Sequence, residues 1–492
     1  MHNSEQQQTV HLPQEMVDQI IDHLYGETMS LRSCALVCQN WLRRSRQHLF
    51  AKISLKAASP HNGPGRPQER CKRLVEVLTY GENRKEIVPF IRELEICEGS
   101  PMYHIHQHHH HHHQAALHHG HSHQELPPST TWVTTDRDLM SLFRLLTHVR
   151  RFDFSSTSPV YWTLLPPTFI NALYTLLSCQ TLNYVRFHSF IFPNFSALSS
   201  VLSHCQNLRA FALSSTSISN EHTSTSTAVT PSGTVADNGS GHHVGNDDGD
   251  GDTPAAGENV PSGEHQGKSG GASGEASSLV PGTSTSAATT PLEVLTLDFV
   301  NFAYLEYWLL GRSSLVDIKS LRELRVAHFH DAEIIRKLLQ AVGDSLEHLH
   351  LKPGSWNVQP FDLSVNSGLR SIKLTLDDPA TAMDWTLTLL STITLQNALL
   401  TSVGLEFYID PKKVSNWDEL DALFTVHAAS ELASLQQVEI GLFALPTNPD
   451  FLAVKEKMAG LDAKGIARWY QLGVKSHRSS RQLTPRISRY ES

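Results

Sequence analysis

The residues whose type and spacing come nearest to chemistry are histidines: twelve lie within residues 104–123, six of them consecutive at 108–113. Imidazole nitrogens at that density can hold zinc, nickel or copper. The tract interleaves no cysteine or carboxylate and its spacing fixes no coordination geometry, so it predicts an incidental low-complexity loop and no dedicated metal site. Six cysteines (Cys34, Cys38, Cys71, Cys97, Cys179, Cys205) occur without a CxxC pair, several within apolar runs, which predicts buried free thiols. The sequence contains no GxxxxGK[ST], no GxGxxG after a strand, no GxSxG and no HExxH. Isolated Asp, Ser and His residues show no phase that would assemble a triad. These residues predict a protein that is not an enzyme and takes no cofactor.

A second group of polar residues becomes interesting through the elements that carry it. Ten short segments approximate L-x-x-L-x-L: IRELEIC at Ile91, VRRFDFS at Val149, LNYVRFH at Leu182, LRAFALS at Leu208, LEVLTLDF at Leu292, LRELRVAHF at Leu321, LEHLHLK at Leu346, LRSIKLTL at Leu369, LTSVGLEF at Leu400 and LQQVEIGL at Leu435. From Leu292 to Leu369 their starts are 29, 25 and 23 residues apart, the period of leucine-rich repeats. Segments between them, DAEIIRKLLQAVGD and NWDELDALFTVHAAS, have helical apolar spacing. One strand and one helix per unit predicts an α/β fold, an irregular solenoid whose stacked neighbours share one core. The consensus positions then point inward, and the third and fifth residues of each unit face the open side of the sheet. Those include Tyr184, Arg186 and His188, and Glu323 and Arg325. Near the centre, His348, His350, Lys352 and Lys373 are expected to form a mildly basic strip that binds a target protein.

Ahead of these units stands a different pattern. After Pro13, apolar residues at Met16, Val17, Ile20, Ile21 and Leu24 mark one helical face, and Gly26 closes it. Ser30 is placed to cap a second helix and Asn40 a third, with Trp41, Leu42, Leu49 and Phe50 supplying contacts. A module of about 45 residues buries little area, so part of its apolar surface is expected to meet a partner or the next domain.

In order, Leu12-Pro13-x-Glu15, Ile20-Ile21-x-x-Leu24, Leu31, Cys34-x-Leu36-Val37-Cys38-x-x-Trp41, Ser45, Leu49-Phe50 and Ile53 resemble the F-box, in particular F-box-like versions common in fungi. The resemblance implies a Skp-family adaptor as partner and, through it, a cullin and a ubiquitin ligase, with the remainder of the chain selecting the substrate. It places Leu12 and Pro13 in the adaptor surface and divides Ile20, Ile21, Leu24, Leu36, Val37 and Trp41 between adaptor contact and helical core. An F-box followed by leucine-rich repeats is a familiar family arrangement. Here the Asn or Cys usual after the third leucine is mostly absent, which implies an uneven horseshoe.

The expected layout is a flexible N-terminus (1–10), the F-box-like module (11–55), a first repeat region (69–213) with a His-rich loop (103–128), a disordered acidic insertion (214–290), a second repeat region (291–474) and a basic flexible tail (475–492). The insertion carries nine acidic residues and one basic, so it accounts for a charge of -8 of the net -9. A near-neutral remainder gives no electrostatic reason to expect nucleic acid. The polar N-terminus lacks an apolar h-region, and no run approaches eighteen apolar residues, so neither secretion nor membrane spanning is expected and the chain is placed inside the cell, in cytoplasm, nucleus or both. The competing reading keeps the repeats as an interaction scaffold with no tie to ubiquitination.

Overall fold

The structure, a computed structural model, describes residues 12–56, 67–80, 83–99, 132–218, 290–301, 305–311, 316–354, 359–377, 382–426 and 432–472. The His-rich loop, the basic tail, residues 1–10 and nearly all of the acidic insertion lie outside the described residues, as do the expectations placed on them.

Three helices open the chain: α1 (Gln14–His23), α2 (Thr28–Cys34) and α3 (Gln39–Ala51). Pro13 stands at the N-cap of α1, where its missing N–H costs nothing, and Gly26 makes the following turn at φ 95°. The two expected caps are corrected. Glu27 precedes α2 and Cys38 precedes α3, neither with a side-chain cap bond, so Ser30 and Asn40 lie inside the helices. Val17, Ile21 and Leu31 form the small core of this module, with Leu24, Trp41 and Leu49 packed against it. Asp22 ties α1 to α3: Arg44 reaches its two carboxylate oxygens at 2.5 and 2.6 Å, and His48 approaches at 2.7 Å. The Arg44 hydrogen bond, aided by His48, holds the Asp22 carboxyl down at about 2.

The rest is organised by strands β1 (Lys52–Lys56), β2 (Glu93–Glu98), β3 (Arg151–Tyr161), β4 (Tyr184–Phe192), β5 (Ala210–Ser214), β6 (Ser217–Ile218), β7 (Thr290–Pro291), β8 (Val294–Asp298), β9 (Val316–Asp317), β10 (Glu323–Phe329), β11 (His348–Pro353), β12 (Ser371–Leu376), β13 (Ser402–Phe407), β14 (Gln437–Leu442) and β15 (Ala467–Gln471). All except β7 and β9, which pair with each other, belong to one open 13-stranded sheet. Its order is β1-β2-β3-β4-β5-β8-β10-β11-β12-β13-β14-β15, with β6 beside β4, and every pairing is parallel. The chain is thus a mixed α/β protein on a large parallel sheet. All ten L-x-x-L-x-L segments supply strands of it.

Five strands escaped the sequence pattern: β1, β15 and the two-residue β6, β7 and β9. Because β1 follows α3 with no residue between them, the sheet begins inside the stretch assigned to the helical module, and the polar link near residues 59–68 comes after the first strand. At its other end the first region also runs further than expected, since β5 ends at Ser214 and β6 at Ile218.

Register explains the core. Leu324, Leu349 and Ile372 stand side by side on β10, β11 and β12, as do Val326, Leu351 and Leu374, and all are buried. Helices such as Ala332–Val342, capped by Asp331, and Phe195–Ser203, capped by Asn194, return the chain and bury their apolar stripes against these rows. A turn recurs three residues before a strand's leading apolar residue, with backbone bonds Leu182 N–H to Cys179 O, Leu369 N–H to Asn366 O and Leu400 N–H to Asn397 O. At two of these turns a buried asparagine stitches neighbours: Asn366 donates to Leu339 O and Gly343 O, and Asn397 to Leu363 O and Asn366 O.

Candidate functional site

Two surfaces remain for recognition once the core is assigned. The first lies on the helical module. Of the residues placed there by sequence, Ile21 is fully buried, while Leu24 and Trp41 are half-buried against it. Leu12, Pro13 and Ile20 are exposed, and Leu36 and Val37, in the short link between α2 and α3, are 87% and 62% exposed. Helix geometry makes this division: positions 17 and 21 share the inward face, and 16 and 20 the outward one. Met16 and Met29, not singled out from sequence as contact residues, add to the exposed apolar set; the four-residue spacing from Leu12 through Met16 to Ile20 was the available signal for the first.

The second surface is the polar face of the sheet. His348 and His350 on β11 lie opposite Ser371 and Lys373 on β12, so pairing brings the four predicted target-binding residues together. His348 Nδ1 meets Ser371 Oγ at 2.7 Å and His350 Nε2 meets Thr375 Oγ1 at 3.0 Å. Each lysine has a carboxylate partner from a later strand or its end: Lys352 Nζ is 3.3 Å from Asp377 and Lys373 Nζ is 2.7 Å from Glu406. Tyr470 also donates to Glu406, at 3.0 Å. The strip is therefore charge-compensated where a mildly basic one was expected. Burial first, then the positive charges of Lys373, Arg325 and Lys352, push the His350 imidazole down to about 3, so it stands neutral.

Elsewhere on this face the same pairing recurs. Lys52 and Lys56 hold Glu95 at 3.2 and 3.1 Å, Arg186 lies 3.6 Å from Asp153, and Arg325 pairs with Glu323. Asp298 meets His328 Nδ1 at 2.7 Å; burial works to raise its carboxyl, but His328, with His188 and Lys352, holds it below the ordinary value. Tyr184, expected on the open face, is buried beneath Arg151, whose guanidinium carbon sits 3.9 Å from the ring centre.

Six free cysteines occur, of which Cys71, Cys97 and Cys205 are buried; Cys38 is exposed and Cys34 and Cys179 are half-buried, against the expectation of burial for all. Burial pushes the Cys205 thiol up to about 12. Among the described residues no group of three or more His, Cys, Asp or Glu is placed to hold a metal ion, and no helix is long and apolar enough to cross a membrane.

The fold thus defines a mixed α/β chain with two candidate recognition surfaces, one apolar and one of paired charges. No protein-family model and no curated protein matches this chain.

Proposed function

We propose that this chain is the substrate-recognition subunit of a Skp–cullin–F-box type ubiquitin ligase, with α1 to α3 as an F-box-like module and the strand units as degenerate leucine-rich repeats. The observation that carries the reading is the unburied apolar set Leu12, Ile20, Leu36 and Val37 on a module that keeps only three apolar side chains fully buried. Apolar side chains at helical spacing left in water are suited to a groove-bearing partner, and a few such anchors supply most of the affinity. In this role no residue of the chain makes or breaks a bond; it holds a target near a ubiquitin-loaded enzyme, a proximity effect. The sheet face, with His348, His350, Lys352 and Lys373 near its centre, is the surface that meets the target.

The test is co-expression with a Skp-family adaptor. Copurification of the adaptor with the wild-type chain, lost in Leu12→Asp/Pro13→Ala and in Leu36→Asp with folding intact, is the expected result. A clean preparation without adaptor would sink the ligase reading and favour a scaffold that uses the same sheet face outside ubiquitination.

A further inference from the structure

The two edges of the large sheet are finished differently. On β1, Lys52 and Lys56 stand at the two ends of the strand, half exposed and paired with Glu95. Lysines on an edge strand discourage another chain from pairing with it. At the opposite edge β15 has β14 on one side and, among the described residues, no strand on the other. Parallel pairing fixes which backbone groups it leaves open. Val438 N–H bonds Ile466 O at 2.9 Å and Leu472 N–H bonds Leu442 O at 2.8 Å, so positions 466, 468, 470 and 472 turn toward β14. Ala467, Trp469 and Gln471 turn their N–H and C=O groups outward. Unmade bonds along such an edge are a template for a further strand.

The side chains of β15 select a second copy of the same strand. In an antiparallel pair centred on Trp469, Ala467 lies opposite Gln471 of the second copy and Arg468 opposite its Tyr470. The outward positions then become the hydrogen-bonded pairs, so every open N–H and C=O of both strands is used. The closer, non-hydrogen-bonded positions bring Arg468 of each copy beside Tyr470 of the other on the polar face. The chain already uses this pairing once: Arg151 and Tyr184 are register neighbours on β3 and β4, with the guanidinium carbon 3.9 Å from the ring centre. Arg468 is free to repeat it, since it is exposed and its register neighbour Glu439 bonds Gln437 instead. Tyr470 is held ready, its ring against Gly441 and its hydroxyl on Glu406. Trp469 is fixed on the opposite face, where Nε1 donates to Asp462 at 2.8 Å and the ring packs on Phe451. No like charges meet in this register, whereas β1 paired with itself about Ser54 would set Lys52 against Lys56.

We propose that β15 pairs antiparallel with β15 of a second copy, joining two chains through one continuous sheet and leaving the opening helices of each copy on the strand edge farthest from the joint. The ligase role is not needed for this, and the test uses the full chain with no adaptor present, so its failure leaves the adaptor experiment untouched. Sedimentation velocity over a micromolar concentration series is expected to show a monomer–dimer equilibrium. Gln471→Pro removes an outward N–H without touching a bond to β14 and should weaken the dimer by about tenfold or more. Gln471→Ala, which keeps that N–H, should leave the dimer as it is. Register is read by mixing Ala467→Cys chains with Gln471→Cys chains. Opposed Cα atoms about 5.5 Å apart lie within disulfide reach, so oxidation should cross-link this mixture well beyond one of Ala467→Cys with wild type. A monomer at every concentration overturns the proposal, whether another segment of the chain or a different protein takes the edge. A dimer that Gln471→Pro leaves intact, or a cysteine mixture that does not cross-link, overturns it equally.

Discussion

The helical module and the sheet body spend their apolar residues in opposite ways. In the sheet, leading leucines and rows such as Leu324-Leu349-Ile372 are removed from water almost completely, and a cluster of phenylalanines packs edge to face, Phe154 against Phe190 at 4.8 Å and against Phe169 at 6.3 Å. In the module only Val17, Ile21 and Leu31 are buried, while a larger number of apolar residues face outward. Burying one such side chain contributes about 1.5–3 kcal/mol, so three cannot hold 40 residues together unaided. What the contrast teaches is that the module depends on contact outside its own core. One such contact is visible, since Phe50 at the end of α3 and Ile53 on β1 pack against the main core.

The largest expected effect separates the two regions directly. Phe154→Ala should lower unfolding free energy by about 3–5 kcal/mol, whereas Leu36→Ala, on a side chain already in water, should change it by less than about 0.5 kcal/mol; urea titration measures both. A Leu36→Ala cost comparable with that of Phe154→Ala would erase the distinction. Polar groups sharpen it at a middle scale. Asn366 satisfies two carbonyls, and Asn366→Ala should cost about 1–3 kcal/mol, while the fully buried Ser45 hydroxyl of α3 has no partner among the described residues, so Ser45→Ala should be neutral or stabilising in thermal melts.

Acid gives the two regions different windows. His350 has a folded value near 3, below the ordinary 6.5, so between these values the unfolded chain binds the extra proton. Its contribution to stability is therefore complete above about pH 6.5 and lost as pH falls toward 3. Asp22, with a folded value of about 2 against 3.8, contributes above about pH 4 and loses that contribution only as pH falls through 2. Melts from pH 7 to 4 should thus show a decline that His350→Gln reduces and Asp22→Asn does not. At neutral pH Asp22→Asn should cost no more than about 1 kcal/mol, because the pair is more than a third exposed and screened by solvent.

How far the sequence could be read depended on whether a feature was local. The ten strand segments were legible because period-two alternation of leucine is a local signal. Strand β1, KISLK, was not separable from the helical pattern it continues, and β15, ARWYQ, carries no leucine. The turn three residues ahead of the strands was missed because its occupant varies, Cys179, Asn366 or Asn397, while its backbone bond stays the same. The helix caps were misplaced because Ser30 and Asn40 have the right side chains at positions already helical. On the candidate site, the face that each polar residue occupies followed from alternation. Its charge balance did not, since Lys352 with Asp377 and Lys373 with Glu406 are joined by register between elements more than twenty residues apart. The inward–outward split of the module residues likewise needed the angle at which α1 meets α3.

The junction between Ala51 and Lys52 has one more implication. With α3 passing straight into β1, and Arg92 N–H bonded to Ala51 O at 2.9 Å, there is no slack at the joint. A single added residue at the end of α3 would swivel the preceding helices by about 100° around the sheet's first strand. The opening helices are therefore held at a set bearing to the strands, and the joint between Ala51 and Lys52 works as a protractor whose angle the backbone fixes.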